Sequence, residues 1–230
     1  MFVYVYKFDK HGCLLKGKAR LVVQDNQQAK YNAGTYVATL MARSFWIFMA
    51  IAAHFNLELK QYDTVNAFVH TFLANKKVFM WMPLGYRKPG KILRLNKAVY
   101  RLRKSPILWQ QLLTQTLINI GFKPIPHEPC CLMYDEILIF FYIDDIVLVY
   151  RKSEKAKAKN LITQLRSRYN ISGGEDLQWF LDIAVYRDRT QKRVWLNQAS
   201  YIKKIVKLAD KHTTQPDKTL MIKAKLLSYD

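Results

Sequence analysis

The chain predicts an α+β fold built on antiparallel sheets, and three features of the sequence carry that prediction. Two β-rich runs open the chain across a turn cluster, two almost wholly apolar runs in the second half stand three residues apart, and apolar helical stretches lie between these pairs. Connections this short join only antiparallel strands, because a parallel pair needs a crossover of about a dozen residues or more. The helices must then bury an apolar face against the sheet.

Taken in order, residues 2–8 and roughly 18–24 are rich in β-formers and flank Asp9-Lys10-His11-Gly12, so they predict a hairpin that carries Lys18 and Arg20. Residues 40–55 have helical spacing but are apolar nearly all round, which places that helix in the interior. A strand-like run, 57–62, leads straight into Asp63. The next helix starts at Ser105, expected as N-cap, with Pro106 at the first helical position. Trp109, Leu112, Leu113, Leu117 and Ile120 recur at helical spacing, and Gly121 supplies the stop. The runs 137–142 and 146–150 then form a hairpin with Asp144 and Asp145 at its tip. A basic helix over about 153–169, a break at Gly173-Gly174, strands over 177–186 and 193–197, and a helix near 199–209 complete the expected order. The tail after Thr213 is expected to be loose.

Composition narrows the function. Half of the 230 residues are hydrophobic and mean hydropathy is −0.14, enough apolar material to exclude a disordered chain. Thirty-seven Lys and Arg against 17 Asp and Glu leave a net charge of +20, a self-repelling excess that a polyanion relieves. Nucleic acid is the expected partner. The longest apolar run, 45–53, falls well short of the ~18–20 residues of a membrane span, and the first residues lack the basic leader and cleavage site of a signal peptide. With three cysteines and no disulfide pattern, the expected address is intracellular, cytoplasmic or nuclear, and not secreted. His127, Glu128, Cys130 and Cys131 do not have zinc-ligand spacing, so the cysteines read as buried, inert thiols.

Two adjacent aspartates on the most hydrophobic strands of a basic protein are the main chemical signal. Asp is a favoured turn residue, so a decorated turn is one reading. The other is a site for a hard divalent cation, since two negative charges held against apolar strands call for a neutraliser with oxygen ligands. Asp63, at the end of a neighbouring strand, is the candidate third carboxylate. Between Thr64 and His127 there is no acidic residue but eleven Lys and Arg, a pattern suited to phosphate contacts. Tyr86, Tyr100 and Trp109 are interleaved there; such rings can stack on bases, although Trp109 at helical spacing reads as core.

Tyr142-Ile143-Asp144-Asp145 resembles the Tyr-x-Asp-Asp box of reverse transcriptases. GKARLVVQ (17–24), LELKQYDTVNAFV (57–69), VFMWMPLGY (78–86), LRLNKAVYRLRKSPILW (93–109), GFKPIPHEPCCLMY (121–134), LQWFLDIAVYRD (177–188) and VWLNQASYIKKIV (194–206) are similar, in order and spacing, to the copia-type retrotransposon enzymes. The resemblance implies a right-hand polymerase palm, an antiparallel sheet backed by helices including 40–55 and 106–120, with fingers and a partial thumb. It further implies one reverse transcriptase domain over 1–230, fingers and palm about 1–184 and the start of thumb or connection about 185–230.

The implied activity is RNA-directed DNA synthesis from dNTPs on a primed RNA or DNA template, with two Mg²⁺ ions as cofactors. Asp63, Asp144 and Asp145 resemble the catalytic, metal-binding carboxylates, and the Thr64 carbonyl faces the nucleotide-bound metal in such enzymes. Phe68 matches the bulky residue that bars a 2′-hydroxyl; without the resemblance it reads as an ordinary core aromatic. Lys18 and Arg20 match the fingers cations that meet the triphosphate, and Tyr100 and Arg101 lie in the loop lining the nucleotide pocket. Three positions depart from the family pattern: Arg101 and Asp182 stand where Gly is usual, and Val65 where Lys is usual. These departures lead to the expectation of a fragment of a decayed element copy. The alternatives are a catalytically inactive nucleic-acid-binding relic and a polymerase copying RNA into RNA.

Overall fold

The computed structural model describes residues 1–8, 13–23, 40–73 and 77–209. Its elements in chain order are β1 Phe2–Phe8, β2 Leu14–Leu21, α1 Ala42–His54, β3 Glu58–Thr64, β4 Val78–Trp81, β5 Ile92–Leu95, α2 Ser105–Ile120, β6 Lys123–Ile125, β7 Glu128–Tyr134, β8 Ile137–Tyr142, β9 Asp145–Tyr150, α3 Lys155–Arg166, β10 Ile171–Asp176, β11 Trp179–Phe180, β12 Ile183–Asp188, β13 Arg193–Asn197 and α4 Ala199–Ala209. The mixture of helices and antiparallel sheets agrees with the predicted class. A six-stranded sheet in the order β10-β3-β9-β8-β7-β6 forms the centre, with a three-stranded sheet β11-β12-β13 and two separate hairpins, β1-β2 and β4-β5.

Why β8 and β9 read as unbroken apolar runs follows from what covers them. Phe140 and Phe141 point to opposite faces of the sheet, yet both are essentially inaccessible to water. Phe45 and Phe48 of α1 pack on Phe140, at 6.1 and 5.4 Å between ring centroids. On the other face, Tyr62 and Phe141 both pair with Ile146, and Arg166 of α3 lies 5.8 Å over the Tyr62 ring. With helices on both sides, no strand residue needs to be polar. Each fully buried Phe, Leu or Ile there contributes about 1.5–3 kcal/mol.

Local expectations met tertiary facts with several corrections. Ser105 is not the N-cap of α2: Lys104 occupies that position, and the Ser105 hydroxyl donates instead to the Val99 carbonyl at 2.7 Å. That bond fastens the loop before the helix. Gly121 ends α2 at φ 114°, as the sequence predicts. Gly173-Gly174 is not a break but a bulge inside β10, where the pairing with β3 slips between Gly173 and Glu175. Gly173 has φ 90°, and a Cβ there would lie 2.8 Å from the Gln61 carbonyl oxygen, so only glycine lets the two strands approach.

The expected strand 177–186 is folded back on itself. Leu181 and Asp182 take φ of 51° and 61°, both left-handed, and turn β11 onto β12. Position 185 falls inside β12. The basic helix is shorter than expected, because Lys152–Glu154 forms a 3-10 turn ahead of α3. The first hairpin forms, but β2 begins at Leu14 rather than near residue 18. The pairs β4-β5 and β6-β7 escaped the sequence reading. Cys130 and Cys131 are buried, as expected, and burial pushes both thiols up, Cys130 to about 11; Cys13 is exposed. The turn cluster 9–12, Gln24, Lys76 and the tail after Thr213 lie outside the described residues.

The three-stranded sheet is tied to the centre by two arginines of β12 and its following turn. Arg187 donates to the carbonyls of Ala52 and Leu57, which closes the end of α1, and Arg189 makes a bidentate pair with Glu58 at 2.8 and 2.9 Å. Among the described residues no helix is long and apolar enough to cross a membrane.

Candidate active site

The β8-β9 connection is tighter than the sequence suggested. Tyr142 pairs directly with Asp145, which leaves Ile143 and Asp144 as a two-residue turn. Ile143 takes φ 54°, a conformation that a β-branched side chain adopts only under constraint. Two contacts supply that constraint. The Trp109 indole N–H donates to the Ile143 carbonyl at 2.7 Å, and the Thr64 amide donates to the Asp144 carbonyl at 2.8 Å.

Strand register brings Asp63 to the same place. Asp63 of β3 is the direct partner of Asp145 of β9. Directly opposed residues of an antiparallel pair have Cα atoms about 4.5–5.5 Å apart and side chains on one face, so the two carboxylates are neighbours. Gln61, two residues earlier on that face, donates to Asp145 Oδ1 at 3.3 Å. Gln61 was missed in the sequence, although the alternation along β3 places it beside Asp63.

Two of the three carboxylates, Asp144 and Asp145, are held above their ordinary pKa. Burial pushes Asp144 above its ordinary pKa; its own backbone N–H opposes this, the Asp63 charge adds to it, and Arg20 and Lys18 draw it back. Asp145 is raised chiefly by burial, against the Gln61 hydrogen bond, and further by Asp144 and Asp63. Among the described residues no three His, Cys, Asp or Glu side chains form a ready-made metal cage. The site is instead a cluster of like charges at the edge of an apolar sheet, in which Asp63 disfavours ionisation of Asp144 and Asp145.

Cations and aromatic rings face this cluster from β2 and from the loop before α2. Val22 bridges to Tyr100, and the Val23 amide donates to the Tyr100 carbonyl at 3.1 Å, which docks the first hairpin there. Arg20 then lies 5.3 Å over the Tyr100 ring. The Lys18 ammonium is lowered by burial and by Arg20 and Lys7, while Asp63 opposes that shift. Tyr100 is raised by burial first and by Asp144 second. Phe68, buried on the 3-10 turn Ala67–His70, meets Tyr100 edge-on at 5.0 Å. The structure thus gathers Asp63, Asp144, Asp145, Lys18, Arg20, Tyr100 and Phe68.

The remaining expected residues are distributed as follows. Thr64 is buried, and its hydroxyl is left without a partner. Arg101 is exposed and takes φ 64°, the left-handed conformation that favours glycine. Asp182 is also left-handed and forms an exposed ion pair with Lys204 at 3.0 Å. The Val65 amide donates to the Asn170 carbonyl at 2.8 Å, and its carbonyl meets His70 Nε2 at 3.2 Å. Trp109 is fully buried, as its spacing predicts, but it also holds the turn, a role the sequence did not reveal.

The chain is similar to known proteins over most of its length. The chain is 28% identical over 232 residues to the Retrovirus-related Pol polyprotein from transposon TNT 1-94 of Nicotiana tabacum, covering 94% of this chain and 17% of that polyprotein. It is 27% identical over 229 residues to the corresponding polyprotein from transposon RE2 of Arabidopsis thaliana, with 96% and 15% covered. The Transposon Ty1-DR5 Gag-Pol polyprotein of Saccharomyces cerevisiae is 24% identical over 156 residues, 66% of this chain and 9% of that protein. The chain therefore spans less than a fifth of the length of these relatives. Residues 1–223 match the family described as Reverse transcriptase (RNA-dependent DNA polymerase), and with relatives of copia type on every side the chain belongs to that family.

Proposed function

We propose that the chain is the RNA-directed DNA polymerase domain of a copia-type element, joining dNTPs to a primer 3′-hydroxyl. The observation that carries this reading is the register pair Asp63–Asp145 beside Asp144, a group of coupled carboxylates faced by Lys18 and Arg20. In this reading the six-stranded sheet is the palm, the β1-β2 and β4-β5 hairpins belong to the fingers, and thumb or connection begins near residue 185.

The donor set suits Mg²⁺. Carboxylate oxygens pushed toward protonation by burial and by one another favour a hard cation, and Mg²⁺ keeps waters and substrate phosphates in its other positions rather than needing a full protein cage. Asp63, Asp144, Asp145 and the Thr64 carbonyl would hold two such ions, which lower the pKa of the 3′-hydroxyl and stabilise the departing pyrophosphate. The chain's own contribution is positioning and charge. Lys18 and Arg20 neutralise the triphosphate, Arg20 held by its stacking on Tyr100. Phe68, fixed edge-on by Tyr100, bars a 2′-hydroxyl.

A second reading, the inactive nucleic-acid-binding relic, is favoured by Arg101, whose φ of 64° belongs to the glycine that the family usually has there. Primer extension on a primed RNA template with dNTPs and Mg²⁺ separates the two. Extension that Asp144→Asn abolishes establishes the polymerase; template binding without extension establishes the relic.

A further inference from the structure

Gln61 stands on the same face of β3 as Asp63, two residues behind it. Its amide donates to Asp145 Oδ1 at 3.3 Å along a diagonal of the β3-β9 pair, since Gln61 is opposite Val147, two residues past Asp145. Diagonal positions of this kind are about 7–8 Å apart, a span that a long side chain covers and a short one does not. Val147, the next residue on that face of β9, is apolar and supplies no donor.

The main chain of Gln61 is fixed from both sides. β9 pairs with it at Val147 and β10 at Glu175, and the bulge in β10 brings Gly173 so close that a Cβ there would lie 2.8 Å from the Gln61 carbonyl oxygen. A half-buried side chain rooted this firmly holds the group it bonds in one orientation.

An amide at this position has chemical consequences. Its N–H donates without bringing charge, whereas a lysine would compete with a cation for the carboxylate and a glutamate would add a negative charge to the cluster. With Oδ1 engaged, Asp145 offers a metal ion one oxygen rather than a two-oxygen bite. That difference separates two common cations: Mg²⁺ demands near-octahedral geometry at ~2.0–2.1 Å, while Ca²⁺ accepts bidentate carboxylates at ~2.3–2.6 Å in flexible shells.

We propose that Gln61 is a positioning residue that holds Asp145 as a one-oxygen ligand and thereby sets the preference of the carboxylate site for Mg²⁺ over Ca²⁺. The inference rests on the polymerase reading and deepens it by naming what selects the ion. Gln61 acts through Asp145 and not on the reacting atoms.

The test is ion binding by the 230-residue chain without substrate, read from the rise in melting temperature as MgCl₂ or CaCl₂ is titrated into EDTA-treated protein. Gln61→Met keeps the length of the side chain and removes the donor; Gln61→Asn keeps the amide and withdraws it by one methylene. Both should bind Mg²⁺ at least tenfold more weakly, the size of effect that loss of a ligand's hydrogen-bond partner has on metal affinity, with Ca²⁺ affinity changed less than twofold. Melting in EDTA, unchanged from the parent, shows that both variants fold. In an Asp145→Asn background, Gln61→Met should alter neither ion further, because the group through which it acts is gone. An unchanged Mg²⁺ to Ca²⁺ ratio in either variant, equal losses for both ions, or a full effect of Gln61→Met without the Asp145 carboxylate overturns the proposal. So does a parent that prefers neither ion. Primer extension by the parent judges the polymerase reading separately: a chain that extends primers while its ion preference ignores Gln61 keeps that reading and loses this one.

Discussion

The indole N–H of Trp109 donates to the carbonyl of Ile143 at 2.7 Å, from a ring with no exposed surface. The ring is itself held by Tyr169 at 5.1 Å, and the Tyr169 hydroxyl hydrogen-bonds Thr116 at 2.6 Å. Helix α2 thereby reaches through the sheet edge to the turn that carries Asp144, and offsets the strain of an isoleucine at φ 54°.

Trp109→Phe keeps the aromatic packing and removes the donor to a half-buried carbonyl, a loss of about 0.5–1.5 kcal/mol. The expected result is a lowered melting temperature, a fall in kcat of at least tenfold and a higher Mg²⁺ requirement, with template affinity little changed. A variant that loses stability while keeping kcat and its Mg²⁺ dependence would leave Trp109 with packing alone.

Asp144 and Asp145 have pKa values raised in the folded chain, so the folded state binds more protons than the unfolded one as these groups titrate. Their contribution to stability is therefore full below the ordinary carboxylate pKa of about 4 and is lost as pH rises through the raised values. At neutral pH, Asp144→Asn should raise the melting temperature of the metal-free chain. Mg²⁺ should stabilise the parent and not the variant. Thermal unfolding between pH 4 and 8, with EDTA or Mg²⁺, checks both, and a destabilised Asn variant in EDTA contradicts the charge argument.

The same substitution should abolish primer extension yet spare most template binding, since one carboxylate contributes little to a surface of net charge +20. Log affinity should fall linearly with log salt in parent and variant alike. Binding that ignores salt would contradict an electrostatic surface.

Phe68→Val shortens the ring that meets Tyr100 while keeping an apolar residue in the buried position. A clash that only a ribonucleotide suffers is thereby relieved, so ribonucleotide incorporation should rise at least tenfold with deoxynucleotide use far less affected. Unchanged selectivity would make Phe68 a core residue and nothing more.

Arg101→Gly removes a side chain from a left-handed position, relieving about 1 kcal/mol of backbone strain, and opens the loop before α2. Primer extension should rise at least tenfold, ~1.4 kcal/mol in the barrier. A parent that already extends primers well, with a glycine variant no better, argues against decay.

What could be read from residues alone was local or compositional. The β8-β9 hairpin with Asp144 in its turn, the start of α2 near Ser105, its stop at Gly121 and the nucleic-acid charge signature all lie within a few neighbouring positions or in simple counts. The Tyr-x-Asp-Asp box and its companion segments supplied the family. Tertiary structure decided the rest, because it depends on pairing between distant strands. Asp63 is a partner of Asp145 only through the β3-β9 register, and a shift of one residue would turn it to the other face. Gly173 became a bulge rather than a break because Gln61 lies against it, and Ser105 gave up the cap because Val99 was within reach. The hydrogen bond from Trp109 to Ile143 could not be read from helical spacing, since periodicity tells which face is buried and not which carbonyl the buried ring will meet.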